Sequence, residues 1–455
     1  MSLEIVILAA GKGTRMKSSL PKVLHPLAGK SMLEWTIEAA LKVGAEKVHV
    51  VIGHGAEQIQ QAITIPQVNW VEQREQKGTG HAVAQALPHI AETSTVAVLY
   101  GDVPLISATT LQDLITRVGQ QRLALLTANL QDPSGYGRIV RSEQGQVTAI
   151  VEQKDASAEQ LAIDEINTGI LAASGASLHR WLPALKADNA QGEYYLTDIV
   201  AMAVAEGHEV VVSQPASVLE IQGVNSRVQL QTLERALQQQ RAQRLMEGGV
   251  TLADASRIDI RGDLRCASDV SIDVNCVFEG QVEIAEYCTI GPNCVLIDCK
   301  IERGAVIKAN SIVEGSVVGA DAVIGPFARL RPGTDLAEGV RIGNFVEVKK
   351  SSFAKGSKAN HLSYIGDSTV GSEVNIGAGT ITCNYDGVNK HQTVIGDKAF
   401  IGSNTALVAP VNVGAEATVG AGSTITGNIA EGELAVARAK QRNIEGWHRP
   451  TKKQS

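Results

Sequence analysis

At 455 residues, 44% hydrophobic and 4% aromatic, the chain exceeds one ordinary core and calls for two or three domains. A formal net charge of -7 excludes a global basic field for nucleic acid, while leaving local cation clusters free to meet phosphates. No run approaches the ~18 consecutive apolar residues of a spanning helix, and the N-terminus has no basic region followed by a long apolar run and cleavage site. A cytoplasmic protein without membrane insertion or a nucleic-acid partner is expected.

Glu4 to Leu8 predicts a first strand, and Ser31 to Val43 a helix with Leu33, Ile37, Ala40 and Leu41 on one side. Between them runs "LAAGKGTRMKSSLPKVL", a glycine-containing loop carrying Arg15, Lys17 and Lys22. Exposed amides and fixed cations in such a loop suit a polyphosphate. Two familiar nucleotide motifs do not fit. Leu24 stands where a P-loop needs the glycine upstream of Gly29-Lys30-Ser31, and Met16 where a dinucleotide fingerprint needs its third glycine. On the residues alone the loop is either a phosphate cradle or an ordinary strand-to-helix turn.

The alternation continues through "KVHVVIG" and "AEQIQQAI", "STVAVLYGD" and "TTLQDLITRV", then "RLALLTANL". It predicts a mostly parallel α/β sheet with helices on its faces. Ligands collect outside the carboxyl ends of such strands, where both the opening loop and Asp102 fall. On the residues alone, Asp102 reads first as a turn residue before Pro104 and second as a metal ligand. The stretch "RVQLQTLERALQQQRAQRLMEGG" predicts a long helix, striped by Leu230, Leu233, Leu237 and Leu245 and stopped by Gly248 and Gly249. It suits a rigid connector.

From about residue 251 an aliphatic residue recurs every sixth position: Ile284, Ile290, Leu296; Val318 through Val348; Ile395 through Ile425. Neither a helix nor a simple hairpin has that period, whereas short strands coiled into a parallel β-helix do. The phase slips between Val313 and Val318, and Ile376 and Ile395 stand 19 residues apart, so a loop or bulge is expected around Cys383 to Lys390. The six cysteines form no CxxC pair and meet no histidine cluster, which favours buried free thiols over a zinc site or disulfides.

From "LAAGKGTRM" to the basic tail, the chain resembles the bacterial bifunctional N-acetylglucosamine-1-phosphate uridyltransferase/glucosamine-1-phosphate acetyltransferases, with the motifs in the same order. The resemblance implies a Rossmann-like α/β nucleotidyltransferase domain over 1–226 and a connecting helix over 227–249. It further implies an all-β domain over 250–437, a left-handed parallel β-helix of hexapeptide repeats, and a basic tail over 438–455. It implies a homotrimer built through the β-helix and UDP-N-acetylglucosamine, a peptidoglycan and lipopolysaccharide precursor, as product.

Carried over residue by residue, Leu8, Ala9 and Gly11 line the UTP nucleotide, while Arg15 and Lys22 face its phosphates and neutralise developing charge. Gln73, Gly78 and Thr79 in "EQREQKGTGHA" match the uracil-recognising segment. Asp102 and Asn225 match Mg2+ ligands, and Gly137, Glu152 and Asn167 the sugar-binding positions. In the second half His361 matches a general base. Arg331, Lys349, Tyr364, Asn375 and Asn384 match the glucosamine 1-phosphate site, and Tyr385, Ser403, Ala421 and Arg438 the acetyl-CoA site. One by one these residues have ordinary readings, as solvated faces, turn formers or strand-end packing. Two rival functions remain at this point: a glucose 1-phosphate nucleotidyltransferase with a regulatory β-helix, and a non-enzymatic trimeric scaffold that recognises nucleotide sugars.

Overall fold

In the computed structural model, which describes residues 2–452, the first strand is Leu3–Leu8. Its side chains alternate between two apolar layers, Ile5 and Ile7 in one, Val6 and Leu8 in the other. A strand buried on both faces belongs to the middle of an α/β sheet, as the alternating segments predict. Leu3–Leu8 pairs in parallel with Lys47–Ile52 on one side and Thr95–Tyr100 on the other. The sheet runs in the order Glu209–Ser213, Arg122–Asn129, Glu165–Ser174, Thr95–Tyr100, Leu3–Leu8, Lys47–Ile52, Val68–Glu72. Glu165–Ser174 is antiparallel to both neighbours and also carries the antiparallel strand Gly137–Arg141, itself paired with Val147–Val151.

Strand order changes direction at Leu3–Leu8 and Thr95–Tyr100, which opens a crevice beyond their carboxyl ends. The opening helix is Met32–Lys42. Ser31 caps it by accepting from Glu34 N–H while the Glu34 carboxylate returns to the Ser31 amide, which fixes the end of the loop between strand and helix.

The long helix is Arg227–Glu247. Its stripe serves two cores: Leu233 and Leu237 join Leu27, Met32 and Val224, whereas Ala242 and Leu245 join the β-helix interior. The chain accordingly divides into compact units Met1–Leu237 and Gln238–Ser455, within the helix instead of at its two ends. The ends of the expected segments at Met1 and Lys453–Ser455 lie outside the described residues.

In the second unit the strands pair in parallel from one coil to the next. Ile290 pairs with Ile307, and Ile324 with Ile342, steps of 17 and 18 residues, the second three full hexapeptides and the first one residue short of that. The sixth-position aliphatics form one continuous interior, from Ile284 to Ile425. Corners fall on left-handed residues; Asn275, Asn293 and Asn310 have φ of 61°, 59° and 59°, the conformation asparagine tolerates best among residues with a Cβ. The phase slip falls at Gly315, φ 52°, the single residue between Ile312–Glu314 and Ser316–Val318. Ile376 pairs with Ile401, 25 residues on, because this coil carries the loop at 384–392, closed by a bridge between Tyr385 and Lys390.

All six cysteines are free. Cys276, Cys288, Cys294 and Cys299 are buried as expected, Cys266 is half-buried, and Cys383 is exposed because it enters the inserted loop. Among the described residues no helix is long and apolar enough to cross a membrane.

Candidate active sites

At the crevice of the first unit lies a cavity of about 250 Å³. Its lining includes Leu8, Ala9, Gly11, Lys22, Gln73, Gly78, Thr79 and Asp102, eight of the positions singled out in the sequence. Gly13 has φ 58°, and a Cβ there would stand 2.6 Å from Lys22 Cβ, so the loop can fold over Lys22 only with glycine. A Cβ on Gly11 would meet nothing within 4 Å: its hydrogen faces open space where a ligand can approach the backbone. Gly78 has φ 105° and lies against the Tyr194 backbone, with the next turn held by Gly80 N–H donating to Tyr194 O at 2.8 Å.

Lys22 Nζ donates to Asp102 Oδ2 and, at 3.0 Å, to Asn225 Oδ1. The two acceptors come from segments far apart in sequence, joined where Val224 N–H donates to the Asp102 carbonyl at 2.9 Å. Two side-chain oxygens thus converge on one cation. That donor set, a carboxylate and an amide oxygen, fits a hard divalent ion whose remaining positions are filled by water and phosphate. Among the described residues no group of three or more His, Cys, Asp or Glu is placed to hold a metal by itself.

Arg15 lies exposed on the short turn Thr14–Met16 and does not line the cavity. Gly137, Glu152 and Asn167 form a second group. Gly137 is opposite Asn167 in register, and a Cβ on Gly137 would be 3.6 Å from the Glu152 carboxyl carbon. Burial, then the Asp155 and Asp198 charges, push the Glu152 carboxyl above its ordinary range, against a hydrogen bond of 3.2 Å from Thr197 Oγ1. Tyr100 bridges the two groups. It lines the cavity, and its hydroxyl is pushed up by burial and by the charges of Glu152 and Asp102. The sequence reading missed Tyr100, although it sits two residues before Asp102 at the same strand end.

In the second unit His361 ends the strand Lys358–His361 and is exposed. Its Nδ1 lies 2.8 Å from Asn344 Oδ1, its register partner one coil earlier. An amide oxygen only accepts, so Nδ1 carries the proton and Nε2 holds the lone pair. Arg331 is paired with Glu347 at 2.9 Å. Tyr364 is opposite Glu347, and Lys349 opposite Gly366. A Cβ on Gly366 would strike the Tyr364 hydroxyl at 2.4 Å and Asn384 Nδ2 at 2.8 Å, so this glycine lets both polar groups converge. Asn384 also donates to Asp367. Asn375 stands one coil from His361, opposite Lys358. Asn344, Glu347 and Asp367 were not singled out from the sequence, although they stand in the polar stretches "NFVEVKKS" and "KANHLSYIGD" that interrupt the repeat, Glu347 on the same strand face as Lys349.

Tyr385 is exposed in the inserted loop, with Lys390 Nζ 4.0 Å from its ring centre. Ser403 and Ala421 follow on later coils, linked where Gly422 N–H donates to the Ser403 carbonyl at 2.8 Å. Arg438 donates to the Ala421 carbonyl. Ser403, Ala421 and Arg438 each follow a strand of one face, Phe400–Ile401, Thr418–Val419 and Leu434–Ala435, which pair on successive coils.

A family model for the MobA-like NTP transferase domain matches residues 5–255, one for the GMPPB C-terminal domain residues 260–342, and one for the bacterial transferase hexapeptide residues 392–427. A bifunctional protein GlmU from Marinobacter nauticus is 63% identical over 450 residues, covering 99% of both chains. Proteins of the same name from Cellvibrio japonicus and Stutzerimonas stutzeri are 60% and 59% identical over 451 and 453 residues, covering at least 99% of this chain and 100% of each relative. With a nucleotidyltransferase crevice in one unit and a hexapeptide β-helix in the other, the chain belongs to the GlmU family of bifunctional uridylyltransferase–acetyltransferases.

Proposed function

We propose that the two sites act in sequence: the β-helix acetylates glucosamine 1-phosphate with acetyl-CoA, and the α/β crevice transfers uridylyl from UTP to N-acetylglucosamine 1-phosphate, releasing pyrophosphate. The observation that carries the reading is the convergence of Lys22, Asp102 and Asn225 at a cavity lined by Gly11, Gln73, Gly78 and Thr79.

In uridylyl transfer the sugar phosphate oxygen attacks the α-phosphorus of UTP in line, and the bond to pyrophosphate breaks. The nucleophile is already anionic, so no side chain need remove a proton. The chain's work is to hold two anions together and neutralise charge. Bound by Asp102 and Asn225, Mg2+ would supply Lewis-acid neutralisation of the phosphates. Lys22, freed from the two oxygens, turns to the phosphate chain. Gly137, Glu152 and Asn167 hold the sugar, and Arg15 reaches the phosphates from the loop.

In acetyl transfer, the 2-amino group attacks the thioester carbonyl as His361 Nε2 takes its proton, the C–S bond breaks, and that proton passes to the sulfur so that CoA leaves as the thiol. Asn344 holds the ring in the required tautomer. Arg331 and Lys349 meet the sugar phosphate; Tyr364, Asn375 and Asn384 bind the sugar; Tyr385, Ser403, Ala421 and Arg438 bind the coenzyme. A homotrimer in the cytoplasm accompanies this reading. It is supported by a ladder of apolar corners, the stacked rings of Phe327 and Phe345, 5.3 Å apart, and Leu362, which are 49%, 57% and 62% exposed in one chain.

Crossed variants test the assignment. Asp102→Ala and Asn225→Ala should shift the Mg2+ titration of pyrophosphate release and spare CoA release. His361→Ala should lower acetyl turnover by roughly two to four orders of magnitude and spare uridylyl transfer. Unchanged Mg2+ curves, or acetyl turnover near wild type in a folded His361→Ala chain, would remove these residues from their roles.

A further inference from the structure

We infer that His81 is a positioning residue that fixes which end of the Gln73 amide meets the base, and so makes the nucleotidyl site select uracil over cytosine. The inference rests on the reading of Gln73 as the base-contacting residue. Gln73 is 3% exposed, and its Nε2 donates to the Gly78 carbonyl at 3.3 Å and to His81 Nδ1 at 3.0 Å. A carbonyl oxygen only accepts, so the amide end beside Gly78 is the nitrogen, and both of its hydrogens are committed. Gln73 Oε1 has no donor among the described residues, and Gln73 lines the cavity.

An amide presented oxygen-first accepts from a base edge that donates. Set against N3, such an oxygen meets the hydrogen of uracil but the lone pair of cytosine, and this N3 contact is the one assigned to Gln73 Oε1. Turning the Gln73 amide over would accommodate cytosine. It would also set the amide oxygen against the Gly78 carbonyl and force the His81 proton from Nε2 to Nδ1. The Gly78 carbonyl and the His81 Nδ1 lone pair therefore hold the discrimination in place together.

His81 is itself held from behind. Its ring centre is 6.3 Å from that of Tyr194, and Gln85 Nε2 lies 3.2 Å from the His81 carbonyl and 3.3 Å from His81 Nε2. A neutral imidazole has one lone pair. The shorter contact, from Gln73, takes it at Nδ1, while Gln85 bonds the carbonyl. His81 faces a second hollow with Lys77, Leu185 and Tyr194 and does not line the nucleotide cavity, so it acts through Gln73 without touching the base.

The test measures kcat/KM for UTP and for CTP, with N-acetylglucosamine 1-phosphate, on the full chain carrying His81→Asn, His81→Gln or Gln73→Leu. Asparagine places an oxygen where Nδ1 stands; glutamine reaches past it toward the Nε2 position. His81→Gln should lower the UTP-over-CTP ratio about tenfold, the scale of one hydrogen bond, partly through a rise in the CTP value. His81→Asn should stay within about threefold of wild type by keeping that bond. Gln73→Leu should lose the preference. Should Gln73→Leu keep the ratio, the base-reading assignment fails and this inference with it. Loss in Gln73→Leu with a wild-type ratio in His81→Gln overturns the His81 inference alone, as does equal loss in both His81 variants. If His81→Gln does not fold, His81→Phe asks the same question, keeping a ring beside Tyr194 but no lone pair.

Discussion

Glu152 is a carboxylate that the fold does not favour in its charged form. Burial is the largest cause, Asp155 and Asp198 add to it, and the Thr197 hydroxyl offsets only part. A carboxyl that binds its proton more tightly when folded makes the fold most stable below its ordinary pKa of 4.5, and stability falls as pH rises through the raised value. Glu152→Gln keeps the shape and removes the charge. Its melting temperature should exceed wild type near pH 8, with the difference shrinking toward about pH 4. A difference that does not vary with pH would refute the burial account. The identity of Glu152 was legible in "VEQKD"; its proximity to Gly137 and its burial were not, because they arise from pairing between Gly137–Arg141, Val147–Val151 and Glu165–Ser174. Tyr100 is the converse case, legible from its place beside Asp102 yet passed over.

At the scale of the element, the β-helix coil explains the cysteines. Cys288 and Cys294 Sγ donate to the carbonyls of Glu302 and Lys308 at 3.0 and 3.2 Å, 14 residues on. Ser357 and Ser363 make the same bond to Gly371 and Gly377. Thiol and hydroxyl thus fill one slot, a small buried donor that satisfies a corner carbonyl. Burial pushes Cys276 and Cys299 up to about 12, which suppresses the reactive thiolate. With a maleimide at neutral pH, Cys383 should be labelled first in the native chain, and Cys276, Cys288, Cys294 and Cys299 only after denaturation. Rapid native labelling of Cys276 or Cys299, mapped by mass spectrometry, would contradict the slot. The sixfold period gave this interior away in the sequence, since each coil repeats the same three inward positions. It could not show which carbonyl each corner residue serves, a matter of stacking between coils.

At the scale of the whole molecule, the two units divide inside the long helix, between Leu237 and Gln238. Leu233 and Leu237 cover Leu27, Met32 and Val224, and the Ala28 amide donates to Glu234 at 2.7 Å. A fragment ending at residue 226 exposes that cluster, whereas one ending at 237 retains it. Both should release pyrophosphate from UTP and N-acetylglucosamine 1-phosphate without acetyltransferase activity. The fragment ending at 237 should melt higher, because burying a leucine side chain contributes about 1.5–3 kcal/mol. Equal melting temperatures would show that the helix adds nothing to this unit, and a folded but inactive longer fragment would refute independent catalysis.

By itself the sequence determined the periodicities: alternating strands and helices in the first half, six-residue coils in the second, and a glycine-rich loop at a strand end. These are local, because burial of one face repeats along the chain and leaves its period in the residues. Lys22 and Asp102 could be singled out for the same reason, each standing at a strand end, whereas Gly11 and Gln73 came from the family resemblance. Tertiary structure alone decided that Lys22 is held between Asp102 and Asn225, that His361 is oriented by Asn344, and that Gln73 is anchored by His81. It also left Arg15 outside the cavity lining. The first two contacts depend on register between segments 17 to 203 residues apart, and the third on a side-chain rotamer across one turn. No local pattern encodes them, since a hydrogen bond of 3 Å is set by where the whole fold places its two ends.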